Sequence, residues 1–153
     1  MSNAMNRERL GIALGLAMGY VAAGIPYHWT THSPADTPLL GFNCSGLISE
    51  LLRATGDIDP YETLSTRQLA ERFSRDALPA GTPIKAGDIL LYGKDDEYYH
   101  AAIARSKDYI IEAGGGTLPI GDRHSAAVRK AFVRVRPFAM RADEFKVALR
   151  LWP

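Results

Sequence analysis

Gly41-Phe42-Asn43-Cys44-Ser45-Gly46-Leu47-Ile48-Ser49-Glu50-Leu51-Leu52-Arg53-Ala54 passes from loop to helix at a single cysteine. Leu47, Ile48, Leu51 and Leu52 fall on one helical stripe, and Gly56 follows as a stop signal. Asn43 is a good N-cap, which puts Cys44 in the first turn. Unpaired N–H groups and the positive helix end stabilise a thiolate there and lower the thiol's pKa. The thiolate is the nucleophilic form, so the position suits covalent catalysis. Gly46 is expected to keep the approach to it open. A cysteine at this point can equally be a small buried apolar residue, and the local pattern alone leaves the two readings level.

Upstream, residues 7–22 are rich in Ala, Leu and Met and suit a helix ended by Gly24 and Pro26. Residues 24–42 carry Pro26, Pro34, Pro38 and Gly41 and read as a long loop. A loop of that length is usually functional or mobile. Met1–Ala4, ahead of a second methionine at position 5, look like a cloning scar, leaving 5–153 as a single domain. Leu10–Ile25 follows two arginines and superficially resembles a signal peptide. It is short and glycine-rich for a membrane span. The favoured reading is an amphipathic or buried first helix, because the next motif begins at Gly24.

Downstream, residues 65–74 make a short polar helix with Leu69, Ala70 and Phe73 inward, and Pro79, Gly81, Pro83 and Gly87 mark a crossover. Strands follow at 89–92, 98–104, 109–113 and 131–136, the last alternating cleanly and closed by Pro137. For residues 142–151 the pattern leaves helix and strand open. Helices followed by strands imply an α+β fold, with N-terminal helices packed on a central antiparallel sheet.

The chain's 153 residues suit one core. Its 46% hydrophobic and 23% charged residues are those of an ordinary globular domain. A net charge of +1 gives no general pull toward nucleic acid or an anionic membrane. One cysteine excludes an internal disulfide.

A catalytic cysteine needs an imidazole. His100 stands near the start of the strand Tyr98–Ala104, and Arg105-Ser106-Lys107 reads as the turn into the next strand. With that three-residue loop, His100 and Glu112 are directly opposed, their Cβ atoms roughly 4.5–5.5 Å apart on one face. A carboxylate beside an imidazole fixes its tautomer and favours its protonated form. A shift of one residue in the loop would turn Glu112 to the other face. Without Cys44 the pair would read as a surface cross-strand contact.

These residues, taken in order, resemble the NlpC/P60 cell-wall peptidases, which share a papain-like fold. The resemblance runs from about Leu10 to Pro137. Gly24-Ile25-Pro26-Tyr27-His28-Trp29 is similar to a G-x-PY-x-W segment of the family, and Gly41–Leu47 to its GFDCSGL segment. Lys85-Ala86-Gly87-Asp88-Ile89-Leu90 resembles its PGDLV segment. Tyr99-His100-Ala101-Ala102-Ile103 and Ile111-Glu112-Ala113-Gly114-Gly115-Gly116 resemble the strands carrying its second and third site residues. The glutamate, the three glycines and Phe132–Pro137 are similar to a branch common in phages and prophages.

The resemblance implies Cys44 as nucleophile, His100 as general base and Glu112 as the orienting residue, a position often held by histidine. It places Tyr27 near the cysteine, and Ser45 and Asn43 at the substrate site. It implies a peptidoglycan stem-peptide substrate with D-glutamate and a diamino acid, and no metal or other cofactor. Asn43 stands where the family usually has an aspartate that helps to hold a free amine; asparagine keeps the cap and loses the charge. Trp29 is followed by Thr30-Thr31 rather than a glycine pair, and Tyr99 rather than a small residue precedes His100. Both changes reshape the expected cleft entrance.

Other readings are blander. His28 and His32 read as exposed loop residues rather than zinc ligands. His124 reads as a surface residue in a polar loop. Gly114–Gly116 lacks the lysine of a phosphate loop and reads as a turn beside the site. Tyr98 and Tyr99 read as one inward and one outward residue, or as cleft lining. Arg134 and Arg136 read as the solvated face of the last strand. Two further functions fit the sequence: a catalytically weak wall-binding module, and an acyltransferase or amidase acting on a non-murein amide. No nucleic-acid partner and no membrane insertion are expected. The location is read as cytoplasmic, or as the cell wall after delivery by a phage or secretion route.

Overall fold

Residues Asn3–Ala22 form α1, Cys44–Thr55 α2 and Thr66–Arg72 α3. Strands β1 (Ile89–Lys94), β2 (Glu97–Ala104) and β3 (Tyr109–Gly114) follow, then α4 (Arg123–Val128), β4 (Phe132–Pro137) and β5 (Phe145–Leu149). A 3₁₀ segment, Phe138–Glu144, joins β4 to β5 and is kinked at Arg141. This computed structural model describes residues 2–28, 41–115 and 123–153. Trp29, His32 and most of the expected 24–42 loop, together with Gly116 and Asp122, lie outside them.

The strands form one antiparallel sheet in the order β4-β3-β2-β1-β5. Its two faces bury different clusters. On one face, Leu47, Ile48, Leu51 and Leu52 of α2 pack with Ala13 and Ala17 of α1 against Ile89, Leu91, Ala101, Ile103, Ile111 and Ala113. The alanines of α1 bring its axis close to α2, and the leucine stripe faces inward as the sequence implies. On the other face, Leu90, Tyr92, Ala102, Ala104 and Ile110 pack with Phe138 and Phe145. Alternation along the strands therefore buries both faces. Leu69 is buried, and Ala70 and Phe73 pack against the first cluster, as expected for α3.

Several boundaries differ from the sequence reading. Helix α1 starts at Asn3, because the Ser2 hydroxyl accepts from the Met5 N–H at 3.3 Å and caps it. Residues 145–149 resolve as strand, paired with β1 from Ile89↔Leu149 to Tyr92↔Phe145. His124 is exposed as expected but sits on α4, not in a loop. The β2–β3 register also moves. Ile103 pairs with Ile111 and Ala104 with Ile110, two positions on from the expected pairing. The turn is longer because the Ser106 hydroxyl accepts from the N–H groups of Asp108 and Tyr109, closing a side-chain turn before the strand resumes.

The end of β5 is fastened to the start of β1. Arg150 donates from Nε and Nη2 to the two oxygens of Asp88, each at 2.8 Å. Asp57, just past α2, accepts from Arg9 and from the Trp152 indole, tying both ends of the described chain to one carboxylate.

Candidate active site

Asn43 caps α2, its Oδ1 accepting from the Gly46 N–H at 2.7 Å. Cys44 is thus the first residue of the helix, as the sequence implies. Gly46, expected to open the approach, is buried in the helix interior instead, because its N–H is turned in toward that cap. A second segment sets the opposite wall. The Phe42 N–H donates to the Pro26 carbonyl and the His28 N–H to the Phe42 carbonyl, while the Tyr27 N–H donates to Ala131. Gly41 permits this close approach. At φ 105° a side chain there is strained, and a Cβ would stand 2.1 Å from the Pro26 oxygen. His28 is consequently half-buried, not an exposed loop residue.

His100 and Glu112 both lie on the sheet face of Ala102 and Ile110. The two-residue register shift leaves parity unchanged, so Glu112 sits diagonal to His100 and still reaches it. Its Oε2 is 2.5 Å from His100 Nε2. Both side chains are buried, 7% and 1% exposed. Room for the diagonal comes from Gly114, where a Cβ would lie 3.1 Å from Glu112 Cδ. Tyr92 packs against the imidazole with the two rings tilted, their centroids 5.6 Å apart.

With Nε2 taken by Glu112, Nδ1 is the imidazole nitrogen open to Cys44. Burial opposes ionisation of the Cys44 thiol. The hydrogen bond and charge of His100, with backbone N–H groups of Ala101 and Ser45, outweigh burial and hold the thiol below its ordinary pKa. Burial likewise disfavours the imidazolium, yet the hydrogen bonds to Cys44 and Glu112 raise His100 overall. Glu112 is pulled down to about 2 against its burial by His100, Arg141 and Arg134. Nearby, burial and the Cys44 charge push the Tyr27 hydroxyl up, so it stays a protonated donor.

A cavity of about 210 Å³ joins these groups, lined by Tyr27, Cys44, Tyr99, His100, Gly114, Gly115 and Arg141. The structure thus brings Cys44, His100, Glu112 and Tyr27 together. Asn43 and Ser45 sit beside them, half-buried at the helix start. Tyr98 packs against the helical-side core, and Tyr99 is 45% exposed at the cavity, the inward and outward pair expected.

Three groups escaped the sequence reading. Arg134 is not on a solvated face: it pairs directly across from Glu112 in the β3–β4 ladder, and its Nη2 donates to Oε1 at 3.3 Å. Arg136 is half-buried as well, its guanidinium lying along the Met140 sulfur. Arg141 donates from Nε to Glu112 Oε2 at 3.1 Å and from Nη1 to Glu144 Oε2 at 3.2 Å. Glu144 also accepts from the Tyr99 hydroxyl at 2.6 Å. Acid opposite base was a usable signal for Arg134, had the register of β4 been known.

A thiol at a helix N-terminus, facing an imidazole and a carboxylate on an antiparallel sheet, is the papain-like arrangement. The chain belongs to the NlpC/P60 family, whose family model matches residues 24–137. No curated protein matches it by sequence. Solved structures do. The NlpC/p60 domain of the peptidoglycan hydrolase SagA is 23% identical with a TM-score of 0.62, over 92% of this chain and 97% of that one. The peptidoglycan hydrolase RipB of Mycobacterium tuberculosis is 20% identical with a TM-score of 0.67, over 100% of this chain and 69% of that one. RipD of the same organism, described as a non-catalytic NlpC/p60 domain protein adapted to peptidoglycan binding, is 18% identical with a TM-score of 0.65, over 94% and 97%. At these identities the likeness is one of fold.

Proposed function

We propose that this chain is a cysteine peptidase that hydrolyses amide bonds in peptidoglycan stem peptides. The observation that carries the reading is the chain of contacts from Cys44 at the cavity to buried His100 and Glu112, with the thiol held below and the imidazole above their ordinary pKa values. Shifts in these directions favour the thiolate–imidazolium form of the pair, which is the form a cysteine peptidase uses.

The thiolate attacks the amide carbonyl carbon and forms a C–S bond. In this reading the backbone N–H groups at the start of α2, with the Tyr27 hydroxyl, receive the oxyanion. His100 gives its proton to the leaving nitrogen as the C–N bond breaks, leaving a thioacyl-enzyme. The neutral imidazole then takes a proton from water, whose oxygen attacks the thioester. Acid product and thiolate are released, and His100 is again the imidazolium. Glu112 stays ionised throughout and holds the ring. A stem peptide with D-glutamate and a diamino acid is the substrate that membership of the family suggests. Asn43 cannot offer a charge to a free amine, so the bond cut need not lie next to a free N-terminus.

A second reading is a wall-binding domain without catalysis. The fold-level likeness to RipD and the loss of charge at Asn43 favour it. Digestion of purified muropeptides by the wild type and by Cys44→Ala, read by mass spectrometry, separates the readings. Loss of one stem-peptide bond with the wild type alone supports the peptidase and names the bond. Binding without cleavage, together with an inert Cys44, supports the wall-binding domain. A labelled Cys44 without cleavage points to another amide or to acyl transfer.

A further inference from the structure

Glu112 is an unusual orienting residue because it is not alone with the histidine. Its Oε2 receives His100 Nε2 at 2.5 Å and Arg141 Nε at 3.1 Å, while Oε1 receives Arg134 at 3.3 Å. One buried anion therefore faces two permanent cations besides the imidazole. Arg134 comes from the neighbouring strand β4. Arg141 comes from the kinked 3₁₀ segment beyond the residues that the family model matches. Arg141 is also the cation that lines the cavity with Cys44 and His100. Its position is braced from the far side, where Glu144 takes Nη1 and is itself held by the Tyr99 hydroxyl. Tyr99 touches the nucleophile as well, since its carbonyl accepts from the Cys44 thiol at 3.8 Å.

We propose that Arg141 is a positioning residue for the Cys44–His100 pair: braced by Glu144, it fixes the Glu112 carboxylate and offsets its charge, and so sets the pH window in which the pair exists. This rests on the peptidase reading. Among the described residues, the other charged and titratable groups around the pair are Tyr27, Tyr92 of β1, Tyr99 of β2, Arg134 and Arg136 of β4, and Asp143 and Glu144 of the 3₁₀ segment. The Tyr92 hydroxyl is buried without a hydrogen-bond partner among the described residues and stays protonated, because burial and the Glu112 charge push it up. Of the groups on the 3₁₀ segment, Arg141 bonds Glu112 and Glu144 bonds Arg141, so removing either changes the local charge without touching a strand.

The sign follows from charge. Without Arg141, Glu112 holds the His100 proton more strongly and the thiolate loses a nearby cation, so both ionisations move to higher pH. Without Glu144, Arg141 is less offset and both move to lower pH.

The test is the pH dependence of Cys44 alkylation by iodoacetamide, which needs no substrate, in the wild type, Arg141→Gln, Arg141→Lys and Glu144→Gln. Arg141→Gln is expected to shift both limbs upward by roughly half a unit to one unit. Arg141→Lys should return them toward the wild type, and Glu144→Gln should shift them downward by less. On a cleaved stem peptide, Arg141→Gln should lower kcat with little change in KM. A profile for Arg141→Gln that superimposes on the wild type, or the same shift in Arg141→Lys, would overturn the proposal and leave the peptidase reading standing. Should Arg141→Gln not fold, the direction of the Glu144→Gln shift decides: an upward or absent shift overturns it. A wild-type Cys44 that reacts only as an ordinary thiol removes the peptidase reading and this proposal with it.

Discussion

Glu112 lies diagonal to His100 across the β2–β3 ladder, and its carboxylate nevertheless reaches the imidazole at 2.5 Å, over the space that Gly114 leaves empty. Gly114 is buried and has no positive φ, so its lack of a side chain matters for room alone. Gly114→Ala would put a methyl group 3.1–3.2 Å from the Glu112 carboxyl atoms. The expected result is a folded protein whose kcat/KM falls about tenfold, equivalent to about 1.4 kcal/mol. Steady-state kinetics beside a thermal melt checks it; unchanged kinetics would mean that Glu112 can shift without consequence.

Removing the imidazole should expose its hold on the thiol. In His100→Ala, burial, the largest influence on Cys44, raises the thiol against only the backbone N–H groups of Ala101 and Ser45. Alkylation at pH 7 is expected to slow by at least about tenfold, because each unit of thiol pKa is a tenfold loss of thiolate. Rates measured from pH 5 to pH 10 would show the single ionisation moving upward.

Glu112→Gln tests stability and reactivity together. Glu112 is held down to about 2 from an ordinary 4.5. Its contribution to stability is thus present above pH 4.5 and lost as the pH falls through about 2. The wild type should lose stability across that window, whereas Glu112→Gln should start lower at neutral pH and change less on acidification. Removal of the anion also lowers His100, so the alkaline limb of activity should move to lower pH. Denaturant melts at pH 7, 4.5 and 3, with a pH–rate profile, read both effects.

Asn43 separates cap from charge. Asn43→Ala loses the 2.7 Å bond to the Gly46 N–H and should cost about 1 kcal/mol. Asn43→Asp keeps an acceptor at the cap, so stability should hold within about 0.5 kcal/mol. Its added charge should favour stem peptides with a free amine over the same peptides acetylated. A ratio of kcat/KM values that does not move between the two substrates would remove Asn43 from substrate recognition.

The α2 stripe gives a core control. Leu52→Ala removes a side chain with 0% exposure and should cost 2–5 kcal/mol, roughly, with the site chemistry of the folded fraction preserved. Chemical denaturation measures the loss.

What could be read from the sequence followed how local the cause was. The cap at Asn43, the stripe on α2 and the parity of strands are set by neighbours a few residues apart, and they hold. The His100–Glu112 contact survived a wrong turn length only because the error was even; an odd one would have buried Glu112 against the helices. Arg134 was misread because the connection from β3 to β4 gives no register, and a residue opposite Glu112 looks from the sequence like any exposed strand arginine. Arg141 left no sign at all. It meets Glu112 across 29 positions through a kinked segment with no periodicity, so only the assembled fold reveals it. The ambiguity over 142–151 has the same root: β5 is an edge strand with three half-buried residues, which blunts its alternation.

The family match stops at Pro137, yet folding does not. Past that point the chain supplies the strand that hydrogen-bonds β1, the arginine that clasps Asp88 and the tryptophan that reaches Asp57. A truncation drawn at the similarity boundary would strip β1 of a neighbour and leave a bare, apolar sheet margin, which invites self-association. For this chain the stretch that the family model matches is shorter than the folded unit, and an expressible fragment is defined by the second.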